Sequence, residues 1–340
     1  MSRFMILLGT LGVLLCGCEM NYLLSQGYHQ VKLLAARRSL EDVLSDPSTP
    51  ELIRERIRLV QDICEFAHKE LGLQSAKSYR SFIEIPGSVV AYVVSACPKD
   101  RLEPYLWRFP LLGSFPYKGF FNLQEAQREK ESLEKEGLDT HLTGVSAFSA
   151  LGWFADPIYS SMLRMDDMEL CYTIFHELAH ATVFFPDRVE FNEQFATFVG
   201  WQATVRFLTE QKGSHHATKV IQLLEEEHAL AQVLKEVKDE LTDLYGSPLS
   251  REEKLLRREM VFQEARMRLS RTGRARLQSL AAMEWNNASF LALWRYRYDT
   301  GELASLLSKL KGDLRALIEM VISWREQGMD PMDKLLDEIR

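Results

Sequence analysis

The chain has 340 residues, of which 46% are hydrophobic, and its formal net charge is -7. This length allows one large domain or two small ones with a sizeable core, and the apolar fraction excludes a disordered chain. The acidic balance argues against nucleic acid as a partner, and the sequence contains no phosphate-binding glycine loop, paired Cys-x-x-Cys motif or internal repeat.

The chain begins with a segment typical of export. Arg3 precedes the apolar run 4–15, which is too short to span a bilayer comfortably and has the build of a signal peptide. The run ends at Leu15-Cys16-Gly17-Cys18, which resembles a bacterial lipobox. We therefore predict that residues 1–17 are removed and that Cys18 carries lipid. The protein would then be anchored in the bacterial cell envelope, facing the periplasm, and an uncleaved anchor is the alternative.

Three cysteines follow the predicted cleavage site: Cys64, Cys97 and Cys171. An odd number in an oxidising compartment permits one disulfide at most, and Cys64 with Cys97 is the plausible pair. We interpret Cys171 as a small buried hydrophobic residue rather than a metal ligand.

The pattern predicts an α+β protein that is mostly α-helical, with a small antiparallel sheet and a helical C-terminal half. We divide the mature chain into a helical segment 18–75, a β-rich segment 76–165 and a helical region 166–340. In the first segment, one helix is predicted from Pro50 to Leu71, where Gly72 ends it.

The β-rich segment contains two strand-like runs, Phe82 to Ile85 and Val89 to Ala96. An aromatic and Gly/Pro-rich stretch over 107–121 follows and is predicted to form a structured loop close to the sheet. Asn122 then caps a charged helix that Gly137 ends.

Residues 142–150 are small and β-prone and lie shortly before the region that carries the chemistry. A strand in that place can form a sheet edge, whose free N–H and C=O groups could pair with an extended peptide. Gly144, Val145, Ser146 and Ala147 are therefore predicted to bind the substrate backbone. An ordinary sheet strand is an equally good interpretation of the sequence.

The strongest signal is the stretch 176–180, which has the form His-Glu-x-x-His in an apolar helical pattern. Positions i and i+4 of an α-helix differ by about 40° around its axis, so His176 and His180 project from one face. Two imidazoles at this spacing can close on one Zn²⁺ ion. Glu177 can reach a metal-activated water without being a ligand. The alternative is a helix with two buried, hydrogen-bonded histidines.

A third ligand is expected from the next helix, because Pro186 ends the first one and a new apolar pattern starts near Glu190. A short turn makes the two helices antiparallel neighbours, and Glu193 then lies level with the end of the first. Glu190, one turn earlier, is the rival ligand or a carboxylate that orients a histidine. For either glutamate, a solvated carboxylate at a helix start is the alternative.

The rest of the chain is predicted to be helical. His215, His216 and His228 lie in a long polar helix and are interpreted as solvated. The stretch 246–248 reads as a break with a serine cap and a proline at the first helical position. The following helix, to about Ala282, is arginine-rich while its predecessor is acidic, which favours an antiparallel pair with complementary faces.

Amide and phenol groups follow this helical pair. Asn287 can hold a substrate backbone, and the hydroxyl of Tyr296 can stabilise the oxyanion of a tetrahedral intermediate. Helix capping and amphipathic packing explain the same residues equally well.

These residues together resemble a family of bacterial zinc aminopeptidases of the gluzincin type that occur as lipoproteins. The resemblance covers most of the mature chain. Its motifs are Tyr117-Lys118-Gly119-Phe120-Phe121, Gly144-Val145-Ser146-Ala147-Phe148-Ser149, Leu151-Gly152-Trp153-Phe154-Ala155-Asp156-Pro157, the histidine motif with Asn192-Glu193-Gln194-Phe195-Ala196, and Asn286-Asn287-Ala288 with Tyr296.

The resemblance implies a zincin-like metallopeptidase fold, Zn²⁺ as the cofactor, peptide substrates and aminopeptidase activity. It supports Glu193 as the third ligand. An aminopeptidase also needs an acidic group for the α-ammonium of its substrate, and Glu190 is one candidate.

Three functions are therefore considered. In the first, a metal-activated water attacks the N-terminal peptide bond, Glu177 moves the proton and Tyr296 stabilises the oxyanion. The second is a zinc endopeptidase with the same site. The third is a non-catalytic, membrane-tethered helical scaffold, which the long charged helices from His215 to Ala282 suggest.

Overall fold

The computed structural model describes residues 18–74, 78–109, 113–145, 157–295 and 300–340. The predicted signal peptide, Ser146, Ala147 and Tyr296 lie outside these ranges. Among the helices of the described ranges, none is both long and apolar enough to cross a lipid bilayer.

Helices make up most of the described chain, as the sequence predicts. In order they are α1 (Cys18–Ala35), α2 (Leu40–Ser45), α3 (Glu51–Leu71), α4 (Leu123–Lys135), α5 (Asp167–Thr182), α6 (Val189–Lys212), α7 (Ser214–Gly246), α8 (Arg251–Ser270), α9 (Ala275–Ala282), α10 (Asn287–Trp294), α11 (Gly301–Lys309), α12 (Leu314–Glu326) and α13 (Pro331–Ile339). A single 3₁₀ turn at Met162–Arg164 precedes α5.

The strands are short. They are β1 (Arg38–Ser39), β2 (Ser81–Ile83), β3 (Ala91–Cys97), β4 (Trp107–Phe109), β5 (Gly113–Phe115), β6 (Lys118–Phe120), β7 (Asp139–Val145) and β8 (Ile158–Tyr159). Within the described ranges they form a sheet of order β6-β3-β7, a second of order β1-β2-β8 and the hairpin β4-β5. The first sheet and the hairpin are antiparallel, but β2 and β8 pair in parallel, so the predicted antiparallel sheet is accompanied by a small mixed one.

Local capping sets the ends of several helices where the sequence predicts them. Gly72 ends α3 in the left-handed conformation, with φ of 70°, where a residue without Cβ is favoured. The Asn122 side chain accepts hydrogen bonds from the first turn of α4. The structure adds a cap at the start of α5, where the carboxylate of Asp166 accepts a bond of 2.8 Å from the amide of Glu169.

The predicted cap of α8 is wrong. The helix starts at Arg251, and Ser250, not the serine at 247, forms the capping box with Glu253. The helix predicted to run to about Ala282 is also divided in two, because Gly273 adopts a φ of 71° between α8 and α9.

Acidic α7 and the basic pair α8–α9 lie side by side, as the charge pattern predicts. Arg268 and Arg276 form ion pairs with Glu236 and Glu227, and Arg274 reaches Glu225 at 3.3 Å. These pairs are partly exposed to solvent and contribute little stability individually, but they fix which faces meet.

The helix that carries the histidine motif, α5, is buried in the largest core. Phe175 of α5 contacts Phe66 of α3 and Phe207 of α6, with ring centroids 6.0 Å apart in both cases. Arg56 of α3 pairs with Asp167 and donates to the carbonyl of Met165, so α3 also holds the start of α5. The helix that carries the motif is therefore held in place by its contacts with α3 and α6.

The predicted disulfide is wrong, because Cys64 and Cys97 are not bonded to each other. Cys64 lies on α3, whereas the thiol of Cys97, at the end of β3, lies 3.2 Å from the carbonyl oxygen of Arg101. Burial raises the pKa of both the Cys64 and the Cys97 thiol to about 12. Cys171 is fully buried in α5, as expected of a small core residue.

Candidate active site

The two histidines of the motif face each other on α5. The Nε2 atoms of His176 and His180 lie 3.1 Å apart, and their ring centroids lie 4.7 Å apart at an interplanar angle of 84°. His176 is buried and His180 is half-buried. The one-turn spacing therefore brings two imidazole nitrogens to one point, as helix geometry requires.

Glu193 completes the group from the first turns of α6. Its carboxylate oxygens lie 3.6 Å from Nε2 of His176 and 3.5 Å from Nε2 of His180. Asn192 sets this level, because its side-chain amide accepts a 2.9 Å bond from the amide of Phe185 and donates a 2.8 Å bond to the carbonyl of the same residue. These two hydrogen bonds hold the turn between α5 and α6 together directly beside Glu193.

The donor set fits a metal ion. The ligand atoms of His176, His180 and Glu193 all lie within 4.8 Å of one another. Two nitrogens bound tetrahedrally to one Zn²⁺ ion would stand about 3.3 Å apart, close to the separation of the imidazole nitrogens here. Oε2 of Glu193 is buried and accepts no hydrogen bond from any described residue. A buried carboxylate oxygen without a partner is costly, and a cation would satisfy it.

Electrostatics favour the metal-binding protonation states of His176 and Glu193. Burial, with the neighbouring His180, lowers the pKa of His176 to about 3, so its imidazole is neutral at physiological pH. Burial would raise the pKa of Glu193, but its contact with His180 and the charges of His176 and Arg295 lower it overall. Burial also opposes protonation of His180, yet the carboxylates of Glu193 and Glu177 outweigh this and raise its pKa. A neutral imidazole and an ionised carboxylate are the forms that bind metals.

Glu177 lies beside this group and is half-buried. Its negative charge acts on two side chains of the site, since it raises the pKa of His180 and that of Tyr117. Glu177 is thus close enough to influence the centre electrostatically while it is not one of the three grouped ligands.

Aromatic side chains pack against His176. The hydroxyl of Tyr172 lies 3.5 Å from Nδ1 of His176, and its ring stacks on Trp201 with centroids 4.2 Å apart. Gly200 allows this approach of α5 and α6: a Cβ atom there would stand 3.2 Å from the Tyr172 ring and 3.3 Å from Cβ of His176. A partner at Nδ1 fixes the orientation of a ligating imidazole.

We expect Gly200→Ala to displace His176, because its Cβ would be too close to a Cβ on the rigid α5 backbone. Overpacking of this kind costs about 1–3 kcal/mol, and the free energy of unfolding and the zinc affinity should both fall. Gly200→Val should be worse. Chemical denaturation and zinc titration measure the two effects.

Gly27→Ala is the matched control, since Gly27 lies inside α1 with nothing within 4 Å of its would-be Cβ. It should leave zinc binding unchanged and raise stability by about 0.5–1 kcal/mol. If Gly200→Ala and Gly27→Ala had the same effects on zinc affinity and on the free energy of unfolding, close packing of Gly200 against His176 would not be important for the site.

Two residues at the site were not assigned by sequence. Tyr117, in the turn between β5 and β6, has its pKa raised by burial and by the charges of Glu193 and Glu177, against the opposing charge of Arg295. Arg295, just after α10, lies with its guanidinium carbon 5.0 Å from the Tyr117 ring centroid and donates to the carbonyl of Pro116 at 3.4 Å. Tyr117 therefore keeps its phenolic proton next to the two glutamates. The only sequence signal was that Tyr117 opens a motif of the resemblance.

The predicted substrate strand is partly described. Gly144 and Val145 are the last residues of β7, where they pair with Tyr92 and Ala91 of β3. No other strand of the described ranges pairs with β7, so it is an edge of its sheet, and Thr143 and Gly144 are exposed. Substrate binding there stays a prediction, as it does for Ser146 and Ala147.

The prediction that Asn287 binds substrate is wrong. Its side chain is fully buried, accepts a 2.8 Å bond from the hydroxyl of Tyr245 and donates to the carbonyls of Pro98 and Arg101. Its backbone amide donates to Asp139, which also holds the buried Arg258 at 2.7 Å. Every polar group of the side chain is thus used inside the protein, where it ties α10 to the sheet.

The remaining predicted positions are at the surface or outside the described ranges. Glu190 is exposed at the start of α6 and is not grouped with the two histidines, whereas Glu193 is. Its binding of an α-ammonium group stays a prediction. His228 is exposed on α7 beside Gln232, as expected of a solvated residue. The role of Tyr296 also stays a prediction.

The fold and the site define a mostly helical α+β protein in which a His-Glu-x-x-His helix and the following helix present a group able to hold a metal ion. A family model described as "Putative aminopeptidase" matches residues 21–335, and the chain belongs to that family. The family description indicates a peptidase with peptide substrates. No curated protein and no solved structure matches the chain.

Proposed function

We propose that this protein is a zinc-dependent aminopeptidase with a zincin-like fold. The observation that carries the proposal is the convergence of His176, His180 and Glu193 with a buried carboxylate oxygen that lacks a hydrogen-bond partner. Two histidines and one glutamate are the ligand set of a catalytic zinc site that leaves a position for water or substrate. Membership of an aminopeptidase family supports the same conclusion.

His176, His180 and Glu193 would hold the ion. Zn²⁺ supplies Lewis-acid polarisation of a carbonyl and lowers the pKa of water to about 7 when it is bound. The imidazole of His176 is already neutral and the carboxylate of Glu193 is already ionised, so neither has to lose a proton before it binds the ion. Tyr172 would orient His176 through its Nδ1 atom.

Glu177 acts as the general base and then as the general acid. Its carboxylate takes a proton from the attacking water and delivers it to the amine that leaves when the peptide bond breaks. Its place next to His180 and Tyr117 supports this role, because a proton-transfer group must lie within reach of the reacting atoms.

Phenol groups stabilise the oxyanion that forms on the attacked carbonyl. Tyr296 is one proposed donor. Tyr117 is a second proposed donor, because it lies at the site and its raised pKa keeps its hydroxyl protonated. The exposed edge of β7 at Thr143 and Gly144 would hold the extended substrate by backbone pairing.

The protein is also proposed to be tethered to the cell envelope by lipid on Cys18 after removal of residues 1–17. The support is the sequence of the export signal and its Leu15-Cys16-Gly17-Cys18 end.

The test is a metal analysis and a substrate panel on the purified mature chain. We expect one zinc ion per chain and hydrolysis of amino-acid arylamides that carry a free amino group. Cleavage of N-acetylated peptides alone would make the protein an endopeptidase. A chain that binds no metal and cleaves neither class of substrate would contradict the proposal and favour a helical scaffold.

A further inference from the structure

A cavity of about 670 Å³ lies between α6, α7 and the region where α10 ends and α11 begins. Cavities of this size are typical of small-ligand sites. None of the three proposed ligands lines it. Its wall includes Thr197, Phe198, Trp201, Ala231, Trp294 and Gly301.

The cavity adjoins the candidate active site through α6. Thr197 follows Glu193 by one helical turn on the same face, about 6 Å along the helix axis. Trp201, one turn further, stacks on Tyr172, whose hydroxyl lies beside His176. On the opposite wall, Trp294 immediately precedes Arg295, whose guanidinium carbon lies 5.0 Å from the ring centroid of Tyr117. Each wall therefore contains a residue next to a side chain of the candidate active site.

Three aromatic side chains line the cavity, together with polar residues of α7 that include His228 and Lys235. The aromatic rings are held in place. Phe198 is buried, and Trp201 is fixed by its stacking on Tyr172. Trp294 stacks with Phe290, with centroids 6.4 Å apart, and the ammonium group of Lys238 lies 4.5 Å from its ring centroid. A pocket whose aromatic walls are already ordered loses little conformational entropy when a ligand enters.

The carboxylates that line the cavity already have partners. Glu227 pairs with Arg276 and Glu236 pairs with Arg268. Their charges are therefore paired with arginines of α8 and α9, and Lys235 of the same wall adds a positive charge, so the lining does not call for a cation. Ring edges and faces instead favour another aromatic group, which stacks or packs edge-to-face with a gain of about 0.5–1.5 kcal/mol beyond burial.

We propose that this cavity is the specificity pocket of the enzyme and receives an aromatic side chain of the substrate. The side chain belongs to the N-terminal residue, whose carbonyl group lies at the His176–His180–Glu193 site. The inference rests on the proposed function and adds to it a class of substrate: peptides that begin with phenylalanine, tyrosine or tryptophan.

The first experiment compares kcat/KM for phenylalanine and alanine arylamides in the wild-type mature chain and in Ala231→Trp. Ala231 lines the cavity from α7, so the new indole would fill it without touching the ligands. We expect the wild type to prefer the aromatic substrate at least tenfold. The variant should lose at least tenfold on that substrate and less than twofold on the alanine substrate, with unchanged zinc content.

The matched control is Gln222→Trp, which places the same indole on the same helix at an exposed position that does not line the cavity. It should leave both substrates unaffected. If Ala231→Trp fails to fold, as judged by circular dichroism, Ala304→Trp enters the cavity from α11 instead. An aromatic preference that is absent in the wild type, or that survives both filling variants, would overturn the proposal.

A binding measurement separates this inference from catalysis. L-Phenylalaninamide should quench the tryptophan fluorescence of the wild-type chain at concentrations at which L-alaninamide does not, and Ala231→Trp should weaken its binding at least tenfold by calorimetry. Selective binding without any hydrolysis would support the pocket while contradicting the peptidase. Hydrolysis without selective aromatic binding would support the peptidase and overturn the pocket.

Discussion

Glu177→Gln is expected to lower kcat by about 10²- to 10⁴-fold while the protein keeps its zinc. The amide has the size and polarity of the carboxylate but cannot take a proton from water at neutral pH. Because Glu177 is not one of the grouped ligands, the ion should be held as before. Steady-state kinetics on an arylamide substrate, with the zinc content of the same preparation, measure both properties.

Glu169→Gln provides the control for this variant. It makes the same chemical change on the same helix, at an exposed position in the first turn of α5. Its kcat should equal that of the wild type. If Glu177→Gln kept both zinc and full hydrolysis, Glu177 would not be the general base and the proposed mechanism would be wrong.

Glu193→Gln is expected to weaken zinc binding by at least about 100-fold, because it replaces the only anionic ligand and leaves two imidazoles. Zinc at 100 times the wild-type dissociation constant should stabilise the wild-type fold by about 2.7 kcal/mol, and the same concentration should stabilise the variant by about 0.4 kcal/mol or less. Competition with a chromophoric chelator gives the affinity, and thermal unfolding with and without zinc gives the stabilisation.

Glu190→Gln distinguishes the two glutamates that the sequence left as rivals. Glu190 is exposed one turn before Glu193, so its amide variant should bind zinc like the wild type. The opposite pattern, with zinc lost in Glu190→Gln and kept in Glu193→Gln, would show that the third ligand has been assigned to the wrong residue.

The case of Glu193 shows where tertiary contacts take over from local pattern. The sequence predicted two antiparallel helices and a carboxylate level with the histidines, but it could not fix the turn between them. The bidentate contact of the Asn192 amide with the backbone of Phe185 does so. A shift of one residue in that turn would rotate α6 by about 100° and point Glu193 away from the imidazoles.

Asn287 shows the limit of chemical reasoning from a residue type. An amide offers the same donors and acceptor to a substrate backbone as to carbonyl groups of its own protein. Three internal partners, Tyr245, Pro98 and Arg101, use all of them here. The predicted Cys64–Cys97 pair failed for a related reason, since sequence spacing does not give the distance between two thiols on different elements.

Features that depend on neighbours along the chain could be predicted from the local pattern of residues. These are the mostly helical α+β class, several helix ends through their caps, and the shared face of His176 and His180, because helix geometry couples residues one turn apart. The distant groups that meet this face are brought there by contacts between elements far apart in the chain. Tyr117 comes from a strand connection, Arg295 from the end of α10, and the cavity from four separate helices. Their approach depends on the packing of buried surfaces between elements, which no local pattern encodes.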